Sequence, residues 1–472
     1  MKIKRLALAI NLGIIISVAA QANTTTLSIE ERLALLEQRT LMAEKRAELA
    51  EQKAASLEGV LQKNSVFKQQ TNTQPNQGQL AILATESSPE NTTPHLIEMN
   101  SQYGKLKLYG DVEFNTDISS KKGQLTSINT QSGKDKDFGD YDKWGINGRI
   151  LIGLDGERVL DNKNYAGFTV QPLANIDGRV NLDDAAFFFG KKESWQMKLG
   201  RYEAYDMFPL NQDTFIEYSG NTANDTYSDG FGYIYMMKEG RGRTNSGGSM
   251  MFNTNYDNWY FETNFLIEDG TSIFTDSEYH GRKQTNKKNV VYVRPVIAWN
   301  KNNIKVAAAL ESNVVNNAYG YEDKNTGKFK DQSKRNGYGL TLGWDSLQDD
   351  ALNGLVVNWN TAYLDASAEK DFTTGANILW RRIQLGYIYA HNDIKSYALN
   401  YWSNVNNEVI FGPGKYDIHT IYSSYELPNI LNMNNFKIYL GTYYSVIDAK
   451  DIDVKNSDKD RYGARARFKY FF

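Results

Sequence analysis

The chain has 472 residues, 41% hydrophobic, 23% charged and 12% aromatic, with 30 Tyr, 37 Gly, 8 Pro and no Cys, at a formal net charge of -3. The absence of Cys excludes disulfide scaffolds, thiolate metal sites and thiol nucleophiles, and four scattered histidines (His95, His280, His391, His419) argue against a His-based metal centre. There is no basic excess of the kind that binds nucleic acid, and no cofactor is implied. Abundant Tyr and Gly with little Pro suggest many strands rather than helical layers.

The first element is a secretory signal over residues 1–22. Lys2, Lys4 and Arg5 precede an apolar run from Leu6 to Ala20, and Ala20-Gln21-Ala22 reads as a cleavage site. The run is too short for a membrane anchor, which needs about 20 apolar residues. Residues 23–61 follow as an arm. Within it Ile29, Leu33, Leu36, Thr40, Ala43, Ala47, Ala50, Ala54, Leu57 and Leu61 fall at alternating steps of four and three, with Ser28 and Glu31 at capping-box spacing. This seam predicts an α-helical coiled coil, hence oligomerisation; a solvated single helix is the alternative. Residues 62–100, rich in Gln, Asn, Thr, Ser and Pro, read as a flexible linker.

From Ser101 to Phe472 the chain repeats runs of about ten residues with period-two alternation, separated by polar loops. Leu106, Leu108, Gly110, Val112 and Phe114 alternate with Lys107, Tyr109, Asp111 and Glu113. In the last run Tyr462, Ala464, Ala466, Phe468 and Tyr470 alternate with Arg461, Gly463, Arg465, Arg467, Lys469 and Phe471. The pattern predicts an all-β antiparallel transmembrane barrel. Such barrels have an even strand count, with short turns at one end and long loops at the other. Candidate strands start near Lys105, Lys143, Tyr165, Asp183, Trp195, Phe231, Ser249, Trp259, Asn289, Ile304, Gly337, Gly354, Ala376, Ile394, Tyr416, Phe436 and Asp460, an odd number. A further short strand at Asp213 to Gly220 restores parity and gives 18 strands, with 16 as the alternative. Long outer loops then fall at Thr116 to Tyr141, Asp269 to Lys288, Ser312 to Lys334, Val405 to Pro413 and Asp448 to Lys459. Short turns fall at Lys191 to Ser194, Lys301 to Asn303 and Asn392-Asp393.

The arm's Leu-Ala-Leu-Leu-Glu-Gln-Arg (33–39), Leu108-Tyr109-Gly110-Asp111, Leu199-Gly200-Arg201-Tyr202, Phe215-Ile216-Glu217-Tyr218-Ser219-Gly220 and the terminal Phe472 together resemble the maltoporin-like sugar porins, particularly the sucrose and raffinose glycoporins. The resemblance implies an outer-membrane channel with a periplasmic arm. It also implies a homotrimer joined through barrel wall and coiled coil, surrounded by outer-membrane lipid, and sugars as solutes. It further implies an inward third loop as the constriction and a row of aromatics on which sugar rings slide. By parity the third loop runs from about Glu203 to Gln212. Tyr205, Asp206, Phe208, Asp213 and Phe215 are its constriction candidates; the alternative is a loop packed on the wall for stability.

Alternation places Tyr109, Tyr260, Trp380 and Phe471 on the inner face as slide candidates, with membrane-belt positions as the alternative for each. It also turns Asp111, Glu113, Arg149, Glu262, Arg382, Arg465 and Arg467 inward. The last strand closes on the first, so its basic row is expected to face the acidic row of strand one. The leading reading is facilitated diffusion of di- or oligosaccharides. A general or anion-preferring porin for acidic sugars, a surface adhesin and a barrel enzyme are the alternatives. The histidines form no nucleophile and base pair that supports the enzyme reading.

Overall fold

The computed structural model describes residues 97–119, 143–212, 214, 234–237, 246–274, 277–280, 282–347, 349–350, 353–395, 413–450 and 460–472. The signal segment, the heptad arm and most of the polar linker lie outside the described residues, as do Asp213 and Phe215. Sixteen antiparallel strands close one barrel. They are β1 (Gly104–Ser119), β2 (Lys143–Val159), β3 (Asn164–Asn175), β4 (Val180–Lys191), β5 (Trp195–Arg201), β6 (Gly248–Tyr256), β7 (Trp259–Asp269) and β8 (Asn289–Lys301). The second half comprises β9 (Ile304–Asn313), β10 (Arg335–Asp345), β11 (Leu355–Ala366), β12 (Glu369–Trp380), β13 (Ile383–Ile394), β14 (Gly414–Leu427), β15 (Phe436–Ala449) and β16 (Asp460–Phe471). Each strand pairs with its chain neighbours, and β16 closes on β1 from Asp111↔Phe471 to Ser119↔Gly463.

The expected 18 strands are corrected to 16 by one pairing. β5 bonds directly to β6, with Leu199↔Met250 and Gly200↔Ser249 in register, so no strand can enter the wall between them. Both surplus strands fall between β5 and β6, where the described residues lie inside the barrel. These include Tyr202, Tyr205, Met207, Phe208, Ile234 and Met236, all buried. A second correction moves a turn. The chain reverses at Arg381-Arg382, where Trp380 pairs with Ile383, and Asn392-Asp393 lies within β13. Arg381 adopts φ 55°, the left-handed geometry a two-residue hairpin requires.

Outward positions carry Trp195, Tyr256, Trp259, Trp344, Trp380 and Tyr425 near the short-turn ends and Trp144, Tyr338, Tyr363 and Tyr444 near the long-loop ends. They form the two aromatic girdles expected where a barrel crosses the membrane interfaces.

Closure differs along β1. β16 covers its upper part, ending with reciprocal backbone bonds between Gly110 and Phe472 of 2.8 and 2.9 Å. Below that point an additional short strand, Ile97–Ser101, pairs with Gly104 to Leu108, and Glu98 meets Lys105 at 2.7 Å. The last residues of the segment read as linker therefore complete the seam. Removing residues 23–96 is expected to leave the heat-induced mobility shift of the barrel in SDS unchanged. Extending the deletion through Ser101 should lower its midpoint, because the lower edge of β1 loses its partner. Equal midpoints would contradict the sealing role.

Candidate functional site

A loop inside a barrel must have its backbone polar groups satisfied by the wall. The segment after β5 meets this requirement strand by strand. The Tyr205 amide donates to Glu262 on β7 at 3.1 Å, and Arg294 on β8 donates to the Tyr205 carbonyl at 2.8 Å. On β10 and β11, Thr341 and Asn360 both donate to the Met207 carbonyl, at 2.5 and 2.8 Å. Asn377 on β12 donates to the Pro209 carbonyl at 2.9 Å. Gln384 on β13 accepts from the Gln212 amide at 2.7 Å and donates to the Leu210 carbonyl. Ser424 on β14 donates to Gln212 at 2.7 Å. All seven wall residues are buried and project inward by alternation.

Space for the loop comes from small inward residues. A Cβ on Gly337 would collide with the Tyr235 hydroxyl, one on Gly375 with the Phe208 ring, and one on Gly441 with the Thr214 carbonyl. Ala307, Ala309 and Ala362 line the same cluster as Met207, Met237 and Tyr205. Tyr205 stacks on Tyr260 at 5.5 Å, and burial pushes the Tyr205 phenol well above its ordinary range, so it stays neutral. The inner face from β7 to β12 is thus largely occupied by protein.

The seam side is different. Asp111, Glu113 and Asp117 of β1 face Arg149 of β2 and Arg465 and Arg467 of β16. Arg149 lies 3.4 Å from Asp111 and 3.8 Å from Glu113, and Arg467 lies 3.3 Å from Glu113. Arg465 holds Asp117 through two bonds of 2.7 and 2.8 Å. Asn115 and Asn147 link the rows, Asn115 donating to Glu113 and Asn147 at 2.9 Å and Asn147 to Asp117 at 2.7 Å. The side chains of these charged groups keep between 10% and 28% of their surface exposed. They form a partly open wall of alternating sign. Tyr109, donating to Asp155 at 3.1 Å, and Phe471, under Lys469 at 4.8 Å, extend the same inward rows.

The remaining candidates separate into groups. Tyr260 and Glu262 turn inward but lie beneath the loop, where the Tyr260 hydroxyl donates to Glu262 at 2.6 Å and Arg294 approaches Glu262 at 3.5 Å. Tyr205 and Phe208 are packed against the wall, whereas Asp206 is half-buried and caps the Phe208 amide at 2.7 Å. The inward placement of Trp380 and Arg382 is corrected: Trp380 faces outward in the girdle, and Arg382 sits in the hairpin turn. The cause is the turn at residues 381–382, which puts Trp380 and Ile383 on one face. The loop-holding residues Arg294, Thr341, Asn360, Asn377, Gln384 and Ser424 were not singled out in the sequence. Their signal is a polar side chain at an inward position on successive strands, beside inward Gly and Ala.

Glu262→Gln leaves buried Arg294 without its carboxylate and should cost about 3 to 5 kcal/mol of unfolding free energy in detergent. Asn360→Ala, losing one backbone acceptor contact, should cost about 1 to 3 kcal/mol. Equal, negligible losses in chemical denaturation would contradict the clamp.

The family model described as Porin-like glycoporin RafY matches residues 108–472. Among solved structures, the chain is similar to an anion-selective porin from Comamonas acidovorans, at 13% identity and a TM-score of 0.48, covering 78% of this chain and 100% of that one. It is also similar to in-vitro folded OmpT, an outer membrane protein of Vibrio cholerae, at 12% identity and a TM-score of 0.47, covering 79% of this chain and 99% of that one. No curated protein sequence matches this one.

Proposed function

The chain belongs to the Porin-like glycoporin RafY family and is an outer-membrane channel, and on that footing we propose that it conducts uncharged di- and oligosaccharides along the seam wall. The observation that carries this reading is the paired ladder. Each of Arg149, Arg465 and Arg467 lies against a carboxylate of β1, so an arriving anion meets acceptors as well as donors. Sugar hydroxyls both donate and accept, and the apolar faces of pyranose rings suit Tyr109. Many moderate contacts of this kind permit release as well as entry. The anion-preferring alternative would be favoured by unpaired arginines on the same wall.

The assembly reading is a homotrimer in outer-membrane lipid. β3 pairs with β2 only as far as Arg149↔Asn175, so the upper part of β2 lacks that neighbour and exposes Trp144 and Ile146. A second copy of the chain suits this low wall, and the heptad seam of residues 29–61 would reinforce association from the periplasm after signal cleavage.

Single-channel currents in planar bilayers test the reading. Sucrose and raffinose should block the current more strongly than glucuronate; block by glucuronate alone would favour the anion reading. Charge variants give a signed prediction. Asp117→Asn releases Arg465 and should raise the chloride-to-potassium permeability ratio, while Arg465→Ala should lower it. Unchanged reversal potentials in both would remove the ladder from the conduction path.

A further inference from the structure

The loop between β7 and β8 departs from the rim. After Asp269 it runs inward, and Ile273, Phe274 and Tyr279 join the apolar cluster that holds Tyr205, Met207 and Met237 of the clamped loop. Phe274 stacks on Tyr279 at 4.5 Å and meets Tyr319, from the loop after β9, edge-on at 5.6 Å. Tyr279 then reaches the first residue of β12, four strands beyond β8 around the wall, donating its hydroxyl to Glu369 at 2.7 Å. The loop is therefore a chord across the long-loop mouth.

Glu369 is fully buried. Burying a carboxylate is costly unless charge and hydrogen bonds replace the lost water. Here the replacements come from both sides of the mouth: Tyr279 and His280 from the loop, with His280 Nε2 at 3.2 Å, and Arg335 from the top of β10 at 3.5 Å. Arg335 also lies 6.0 Å over the Phe274 ring. One buried anion thus ties the loop tip to two wall strands.

We propose that this loop is a second, fixed constriction above the clamped one, and that Glu369 is the positioning residue that latches it. It narrows the entrance so that solutes reach the seam wall already selected by size. The size-selection part rests on the channel reading above, whereas the latch itself is read by small-ion current alone.

The test compares wild type, Glu369→Gln and Tyr279→Phe. The first neutralises the anion, and the second removes one donated hydrogen bond with little change of shape, which keeps the question answerable should the first not fold. Folding is checked by the mobility shift in SDS. The expected result is a higher single-channel conductance in potassium chloride for folded variants, with liposome-swelling permeation extending from disaccharides to larger oligosaccharides. Unchanged conductance and an unchanged size cutoff in folded Tyr279→Phe and Glu369→Gln would overturn the latch. A raised ion conductance without any sugar permeation would keep the latch and instead count against sugars as the solute.

Discussion

The structure depends on hydrogen bonds from inward wall side chains to the backbone of one loop. A chain segment placed inside a barrel loses water on most of its surface, and its amides and carbonyls must find partners there. Glu262, Arg294, Thr341, Asn360, Asn377 and Gln384 supply them, one each from β7, β8, β10, β11, β12 and β13, and Ser424 of β14 adds a bond to the Gln212 side chain. Inward glycines and alanines keep the distance short enough for these bonds to form. Loop and wall are therefore one packed unit, and Tyr205, Met207 and Met237 form a core where a simple barrel would hold water.

This filling leaves the seam side as the more open part of the lumen. The strands that close the barrel, β16 and β1, together with β2, carry the alternating charges, so the same ion pairs that join β16 to β1 also line the inner face there. Their dual position explains why the ladder is paired rather than one-signed. Unpaired arginines on β16 would repel one another across a closing seam, whereas Asp117 and Glu113 offset them. The strand Ile97–Ser101 seals the part of β1 that β16 does not reach.

Alternation made most of the wall legible, because a half-buried strand writes its two faces into every second residue. It fails where burial is not one-sided. Ile234 to Met237 read as part of a strand, yet they are buried inside the lumen with protein on both sides, so alternation there carries no wall position. Trp380 was misplaced for a different reason: its hairpin turn is Arg381-Arg382, without the Gly, Asn or Asp that normally mark such turns. The facing of the β1 and β16 rows is legible because the last strand must close on the first, whereas the individual partners, such as Asp117 for Arg465, depend on a register that alternation does not give. The clamp residues are not legible, since their partner is a loop backbone, which has no sequence signature.

The β7 to β12 side of the lumen is filled and the seam side is open. The natural absence of Cys allows a clean test by single-cysteine substitution and a charged thiol reagent during current recording. Asn147→Cys, on the seam wall, should react rapidly and reduce the current, while Thr373→Cys, on the inward face of β12, should remain unmodified in the folded channel. Rapid modification at residue 373 with none at residue 147 would contradict this arrangement.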